Sequence, residues 1–179
     1  MTLVRRHQRG AVSIEFAAVF MLFFVLVYAV IAYALPLLLA LSLKHVSADA
    51  ARVAVRVDPA LSAAQYAAVV SRQIDLQVQQ SWLPDNWYQG NCPAPGGGLN
   101  WQPLPAAGDG ESYGYLAVDN SQAEPARVLH VCLQRFYNRD GNAQQRAIIP
   151  VIRFLGVQIP SLAERDGQTV LRGETRLRL

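Results

Sequence analysis

Reactive side chains are scarce in this sequence. Of 179 residues only three are histidine, His7, His45 and His130, and only two are cysteine, Cys92 and Cys132. No G-x-S-x-G, H-E-x-x-H or calcium-loop pattern occurs. His130 and Cys132 are two apart on a predicted strand and so share a side, but a nucleophile pair or a metal site needs an orienting group or further ligands. Gly96-Gly97-Gly98 is followed by no Lys-Ser or Lys-Thr and so reads as a flexible loop, not a phosphate cradle. Asp109 and Glu111, in a glycine-rich turn, suit solvated loop residues better than a tuned acid and base. The expectation is a protein without enzymatic activity, cofactor or metal.

Charge is scarce too, at 16% of residues against 52% hydrophobic. The formal net charge of +3 invites a nucleic-acid partner, but its distribution does not. Met1–Gly10 holds Arg5, Arg6 and Arg9 and no acid, so the remaining 13 basic side chains match the 13 acidic ones. Phosphate-backbone binding needs a clustered surplus, and none is left. The three arginines instead mark a cytoplasmic N-terminus with the rest of the chain outside.

Between Phe16 and Leu43 there are 28 residues with no charge at all. As helix they would extend ~42 Å, against a hydrocarbon core of ~30 Å. A secretory signal has an h-region of only ~7–15 residues, so the segment reads as a retained anchor. The Ala48-Asp49-Ala50 match to a cleavage site lies beyond the span, inside an amphipathic pattern. Outside the membrane, Cys92 and Cys132 read as a disulfide, with two separate buried thiols as the alternative.

One acid, Glu15, stands at the head of the apolar run. A carboxylate in lipid is costly, about 2.5–3.5 kcal/mol at the bilayer centre on insertion scales for Asp. Either it lies unpartnered near the surface or it has a partner. Cleavage on the C-terminal side of Gly10 would supply one: the new α-ammonium at Ala11, largely protonated at neutral pH, could meet Glu15 of a neighbouring helix. The segment "GAVSIEFAAVF", with Gly10, four residues, Glu15-Phe16 and an apolar helix, resembles the processing site of type IV prepilins, in particular the Flp-type branch. Major pilins of that branch are very short; a chain with a large distal region is similar to TadE-like pseudopilins of the tight adherence (Tad) pilus. The resemblance is clearest from Arg5 to about Val57 and departs from the common pattern in having Phe16 where tyrosine is usual. It implies processing by a prepilin peptidase, an inner-membrane position with a periplasmic head, and work beside a major Flp-type pilin, other minor pseudopilins and the assembly platform. It implies no enzymatic activity.

Beyond the span, Val46, Ala50, Val53 and Val57 keep a helical period that should end at Asp58-Pro59. Pro36 should bend the helix, as a membrane-exit kink or as a flexible point for bundle packing. A second helix is predicted over 59–82, with Pro59 in its first turn and Leu61, Ala64, Ala68, Ile74 and Val78 near one stripe that Ser71 interrupts. Residues 84–111 are Gly/Pro-rich loop; Trp87, Tyr88 and Trp101 within it either offer a contact surface or pin the loop to its domain. "YGYLAVD", "ARVLHVCLQRFYN" and "QTVLRGETRLRL" read as strands, the last with a charged, solvated face. "NRDGN" reads as a hairpin turn that pairs the second of these with "AIIPVIRFLGVQI", Pro150 placing that strand at an edge.

The expected architecture is α+β: a leader at 1–10, a transmembrane pilin-like helix at 11–43, and a head at 44–179 with a second helix and a small antiparallel sheet at 113–179. The expected function is that of a minor pilin or pseudopilin. An uncleaved single-pass binding or sensor module is the alternative.

Overall fold

The computed structural model describes residues 9–121, 124–138, 141–142, 145–154, 156–162, 164–165 and 168–179, with only the backbone of 9–11, 154 and 165. The arginines at 5 and 6 and the predicted turn residues Arg139 and Asp140 lie outside this set.

Helix α1, Arg9–Val53, is continuous over 45 residues with Pro36 inside it. Apolar residues with no internal glycine beyond Gly10 favour it throughout. It tightens into a 3-10 turn at Ala54–Arg56, and Val57 is already extended (φ −82°, ψ 135°). The residue that follows, Asp58, precedes proline and accepts a hydrogen bond from the Ala60 N–H at 2.8 Å, which closes the turn.

Helix α2, Ala63–Gln79, starts four residues later than the sequence pattern predicts. Its start is fixed by Ser62, whose side chain accepts from the Gln65 N–H while Gln65 reaches back to the Ser62 N–H, a capping box. Pro59 therefore lies before the helix. The buried stripe is also displaced: Tyr66, Val70, Ser71, Ile74 and Val78 face inward, while Ala64 and Ala68 are exposed. Ser71 belongs to the stripe because its hydroxyl donates to the Pro105 carbonyl at 2.6 Å. Burial of that serine is thereby satisfied.

A five-stranded antiparallel sheet completes the head. Its strands are β1 (Gln102–Pro103), β2 (Gly114–Asp119), β3 (Ala126–Phe136), β6 (Glu164–Arg165) and β7 (Gln168–Arg178), in the order β1-β2-β3-β7-β6. The long partner of β3 is the C-terminal strand β7, from Val128↔Arg178 to Phe136↔Val170. This corrects the pairing expected with "AIIPVIRFLGVQI". That segment folds on itself as a separate hairpin, β4 (Ile152–Phe154) with β5 (Val157–Ile159), turning at Gly156 with φ +82°. Its short apolar strands pair locally, and the longer β7 offers β3 more ladder bonds.

The core lies between α1, α2 and the inner face of β3 and β7. Along α1 and into the 3-10 turn that ends it, the buried positions Ala32, Pro36, Leu39, Leu43, Val46, Ala50 and Ala54 recur at spacings of three and four. From Leu39 onward they share one core with Leu129, Val131 and Leu133 of β3 and with the Leu171 and Leu177 face of β7. Contact is closest at Gly173, where an added Cβ would fall 2.1 Å from the Leu43 carbonyl carbon and 2.3 Å from the Lys44 nitrogen. One strand turn further, Ser47 Oγ and Thr175 Oγ1 lie 3.0 Å apart. The helix thus contributes to the head from well before residue 44.

Gly173→Ala should lower head stability by about 1–3 kcal/mol through overpacking against backbone that cannot rotate away. Gly96→Ala, where a Cβ meets nothing within 4 Å, should leave it unchanged. Denaturant melts of the two variants in detergent check this pair.

Candidate functional site

Two regions hold the residues singled out in the sequence. The first is the N-terminal half of α1. Gly10 and Ala11 lie in its helical backbone, and Glu15 and Phe16 are exposed, Phe16 by 69%. Phe16, Phe20 and Phe24 form a ladder four residues apart, with ring centroids separated by 6.0 and 6.4 Å. Exposed apolar side chains surround the helix from Val12 to Phe24, and the whole helix is long and apolar enough to cross a membrane. In this belt Glu15 is the single acid, and it forms no ion pair among the described residues. A helix apolar on every side requires lipid or other helices around it.

The second region is the loop between α2 and β2, which folds over the outer face of the sheet. Cys92 and Cys132 are joined by a disulfide, with S–S 2.00 Å and Cα–Cα 6.2 Å. Closing a 40-residue separation contributes about 4 kcal/mol in the chain-entropy model. Gln134 adds a polar fastener: Gln89 and Gln134 exchange backbone bonds of 2.8 and 2.9 Å, and the Gln134 side chain donates to the Gly90 carbonyl. This cover explains why His130, Cys132 and Gln134 are buried although they point away from α1. The alternation in β3 separates two interiors, not interior from solvent.

The three loop aromatics occupy different depths. Tyr88 is in the core beside Tyr113, ring centroids 6.2 Å apart. Trp87 is half-buried against the same cluster. Trp101 lies half-buried between His130, 6.0 Å away, and the Arg176 guanidinium, 5.0 Å from its centroid. Arg176 thus reaches from the charged face of β7 to the edge of the loop, and like Glu174 and Arg178 it stays exposed. The most exposed head tryptophan is Trp82, just after α2, at 67%. Its place beyond the last stripe residue, Val78, is the only cue the sequence gives.

Below Tyr88 and Tyr113 is an open cavity of about 530 Å³ lined by Gln79, Asp85, Tyr88, Gln89, Asp109, Glu111 and Tyr113. Its carboxylates serve the loop's own donors. Asp109 accepts from the Tyr113 hydroxyl and, at 2.9 Å, from the Glu111 N–H; Glu111 accepts from the Gly90 N–H; Asp85 accepts from the Tyr88 hydroxyl at 3.2 Å. Burial and then Asp85 push the Tyr88 phenol up to about 12, and burial with the Asp109 bond raises Tyr113 further. Both tyrosines stay neutral donors. Asp109 and Glu111 are loop fasteners, more engaged than solvated turn residues would be.

His130, Cys132 and Glu174 bring ligand-type atoms within 4.8 Å of one another. The Cys132 sulfur is spent in the disulfide and supplies no thiolate, so only two ligands are left. Arg135, unmarked in the sequence, is 4% exposed and ties two loops by donating to the Asn86 and Arg146 carbonyls. Burial lowers its pKa.

Burial also holds His130 below its ordinary 6.5, more strongly than Glu174 raises it. The folded state therefore keeps a neutral imidazole where the unfolded chain would take up a proton. Stability from this group is complete above pH ~6.5 and is lost as pH falls. Between about pH 7 and pH 5 the denaturation midpoint should fall, and His130→Gln should flatten that slope. Equal slopes would assign the acid sensitivity elsewhere.

Among known proteins, no curated sequence and no solved structure matches the chain. One family model does, over a segment that begins at the candidate cleavage glycine and ends one residue before the last α-helical residue of α1. Residues 10–52 match the family described as TadE-like protein, so the long N-terminal helix is similar to the segment that defines that family.

Proposed function

We propose that the protein is a minor pilin or pseudopilin in biogenesis of a Tad/Flp-type pilus. It is cut after Gly10 by a prepilin peptidase and packs through α1 with a major Flp-type pilin and other minor pseudopilins. The observation that carries this reading is the coincidence of the TadE-like match with a helix whose first half is uncovered, apolar all round and marked by one acid. In this reading α1 holds the protein in the bacterial inner membrane, N-terminus cytoplasmic and head periplasmic, next to the assembly platform. The work is structural, and the family is a structural one.

Physically, Glu15 is a lone acid in an apolar belt and has no ion-pair partner among the described residues. The ammonium released at Ala11 supplies one on an adjacent subunit, and the pair fixes the axial offset between helices. Phe16, Phe20 and Phe24 then meet a neighbour as a rigid aromatic face.

Two measurements test this. In cells that make the peptidase, the intact mass should correspond to a chain starting at Ala11, and Gly10→Ala should leave the full-length chain; an uncut wild-type chain would favour the single-pass binding module. Glu15→Ala should preserve processing and membrane insertion yet reduce crosslinking to partner pilins about tenfold or more, since stranding one member of a desolvated pair costs about 3–5 kcal/mol. Unchanged crosslinking would remove the pairing role.

A further inference from the structure

The β4–β5 hairpin is bound to α1 by two tyrosines. Tyr28 donates its hydroxyl to the Pro150 carbonyl just before β4, and the Ser161 N–H just after β5 donates to the Tyr33 hydroxyl at 2.9 Å. Between them Pro160 is fully buried, and Tyr137, Ala147 and Val151 form a small second core with Ile148 and Leu162 under the hairpin. These contacts fix the hairpin's height along the helix axis.

That height coincides with the edge of a bilayer. A hydrocarbon core of ~30 Å takes about 20 helical residues, so a span starting at Val12 ends near Ile31 and one starting at Glu15 ends near Ala34. Either start puts Tyr28 and Tyr33 within about two turns of the outer boundary, the level that tyrosine favours. The hairpin's composition fits the same level. "VIRFLGVQI" carries one charge, Arg153, which is exposed and has no ion-pair partner among the described residues. Val157, the first residue of β5 and the partner of Phe154, is an apolar side chain left 58% exposed. On α1, Val30 and Ile31, between the two tyrosines that hold the hairpin, are exposed and apolar too.

We propose that the β4–β5 hairpin is a second membrane contact: a foot that seats Val157 at the headgroup–acyl boundary of the outer leaflet and sets Arg153 among lipid phosphates. It rests on the reading of α1 as a membrane span. The foot stops α1 from sliding deeper and holds the head at one height above the bilayer, which in turn fixes the depth of Glu15. The occupant is the lipid of the bilayer that α1 crosses.

The test uses the full-length, disulfide-intact protein in phosphatidylcholine–phosphatidylglycerol vesicles, with an environment-sensitive fluorophore on a cysteine introduced at one exposed position at a time. The positions are Val19→Cys in the span, Val157→Cys in the foot and Val118→Cys on β2, all exposed in the fold. Nitroxide lipids of shallow or deep label position serve as quenchers. The Val157 site should lose about half its fluorescence or more to the shallow nitroxide and less to the deep one, as expected for insertion by about 5–10 Å. The Val118 site should stay unquenched, and the Val19 site should respond most to the deep nitroxide. A quenched Val19 site with an unquenched Val157 site overturns the foot and leaves the span standing, as does a head docked against protein. Equal quenching at Val118 and Val157 overturns it too, because no particular segment then meets the lipid. No quenching at Val19 overturns the span itself.

Discussion

Gly173 lets the backbone of β7 lie directly against the backbone of α1 at Leu43 and Lys44, and the rest of the molecule is arranged around that contact. Any side chain at that position would lift the helix off the sheet. With hydrogen in its place, Leu39, Leu43, Val46 and Ala50 reach β3, and Ser47 meets Thr175. The small residues Ala50, Ala51 and Ala54 then admit α2, whose Tyr66 donates to the Ala54 carbonyl at 3.2 Å. Head and helix are one packed unit.

The consequence is a division of labour along a single rod. One stripe of α1 is committed to the head from Ala32 onward, while the first half of the helix is left apolar on every side for lipid and neighbouring helices. An uncharged stretch longer than a bilayer needs is explained by this double duty, because the excess helix is core. The excess also gives a rigid connection. A shift of the first half relative to its neighbours moves the whole head, with no hinge residue in the helix except Pro36, which is itself buried. In the proposed pilin role, a charge pair at Glu15 would then orient the sheet and its disulfide-fastened loop many turns away.

Much of this was legible in the sequence, and the illegible parts share a cause. The uncharged run, the exit at Asp58-Pro59, strands β2, β3 and β7, and the α+β class follow from local pattern and hold in the structure. The disulfide was legible as one of two alternatives, since only two cysteines exist. What local pattern could not give was pairing at a distance. The β3–β7 ladder skips over residues 147–159, and an Asp-Gly step near the end of β3 pointed to the nearer segment. Apart from the expected Cys92–Cys132 bond, nothing local says that residues 84–111 fold back over β3 and bury both of its faces. In α2 the alanines mimicked a stripe; Tyr66 and the buried Ser71, whose partner Pro105 is remote in sequence, define the real one. At the candidate site, Gly10, Glu15 and Phe16 stood out through the resemblance of their spacing to a prepilin processing site, whereas the engagement of Asp109 and Glu111 by Tyr113 and Gly90 depends on the folded loop.

The central claim is that the second half of α1 belongs to the head's core as fully as β3 does. Native-state hydrogen exchange of the full-length protein in detergent tests it most directly, by comparing the amides of Leu39–Val53 with those of Leu129–Leu133. Exchange of both sets at the same rate and with the same denaturant dependence, through opening of the whole head, is the result this account predicts. Faster exchange along Leu39–Val53, with β3 still protected, would show a helix that merely rests on its domain and would contradict it.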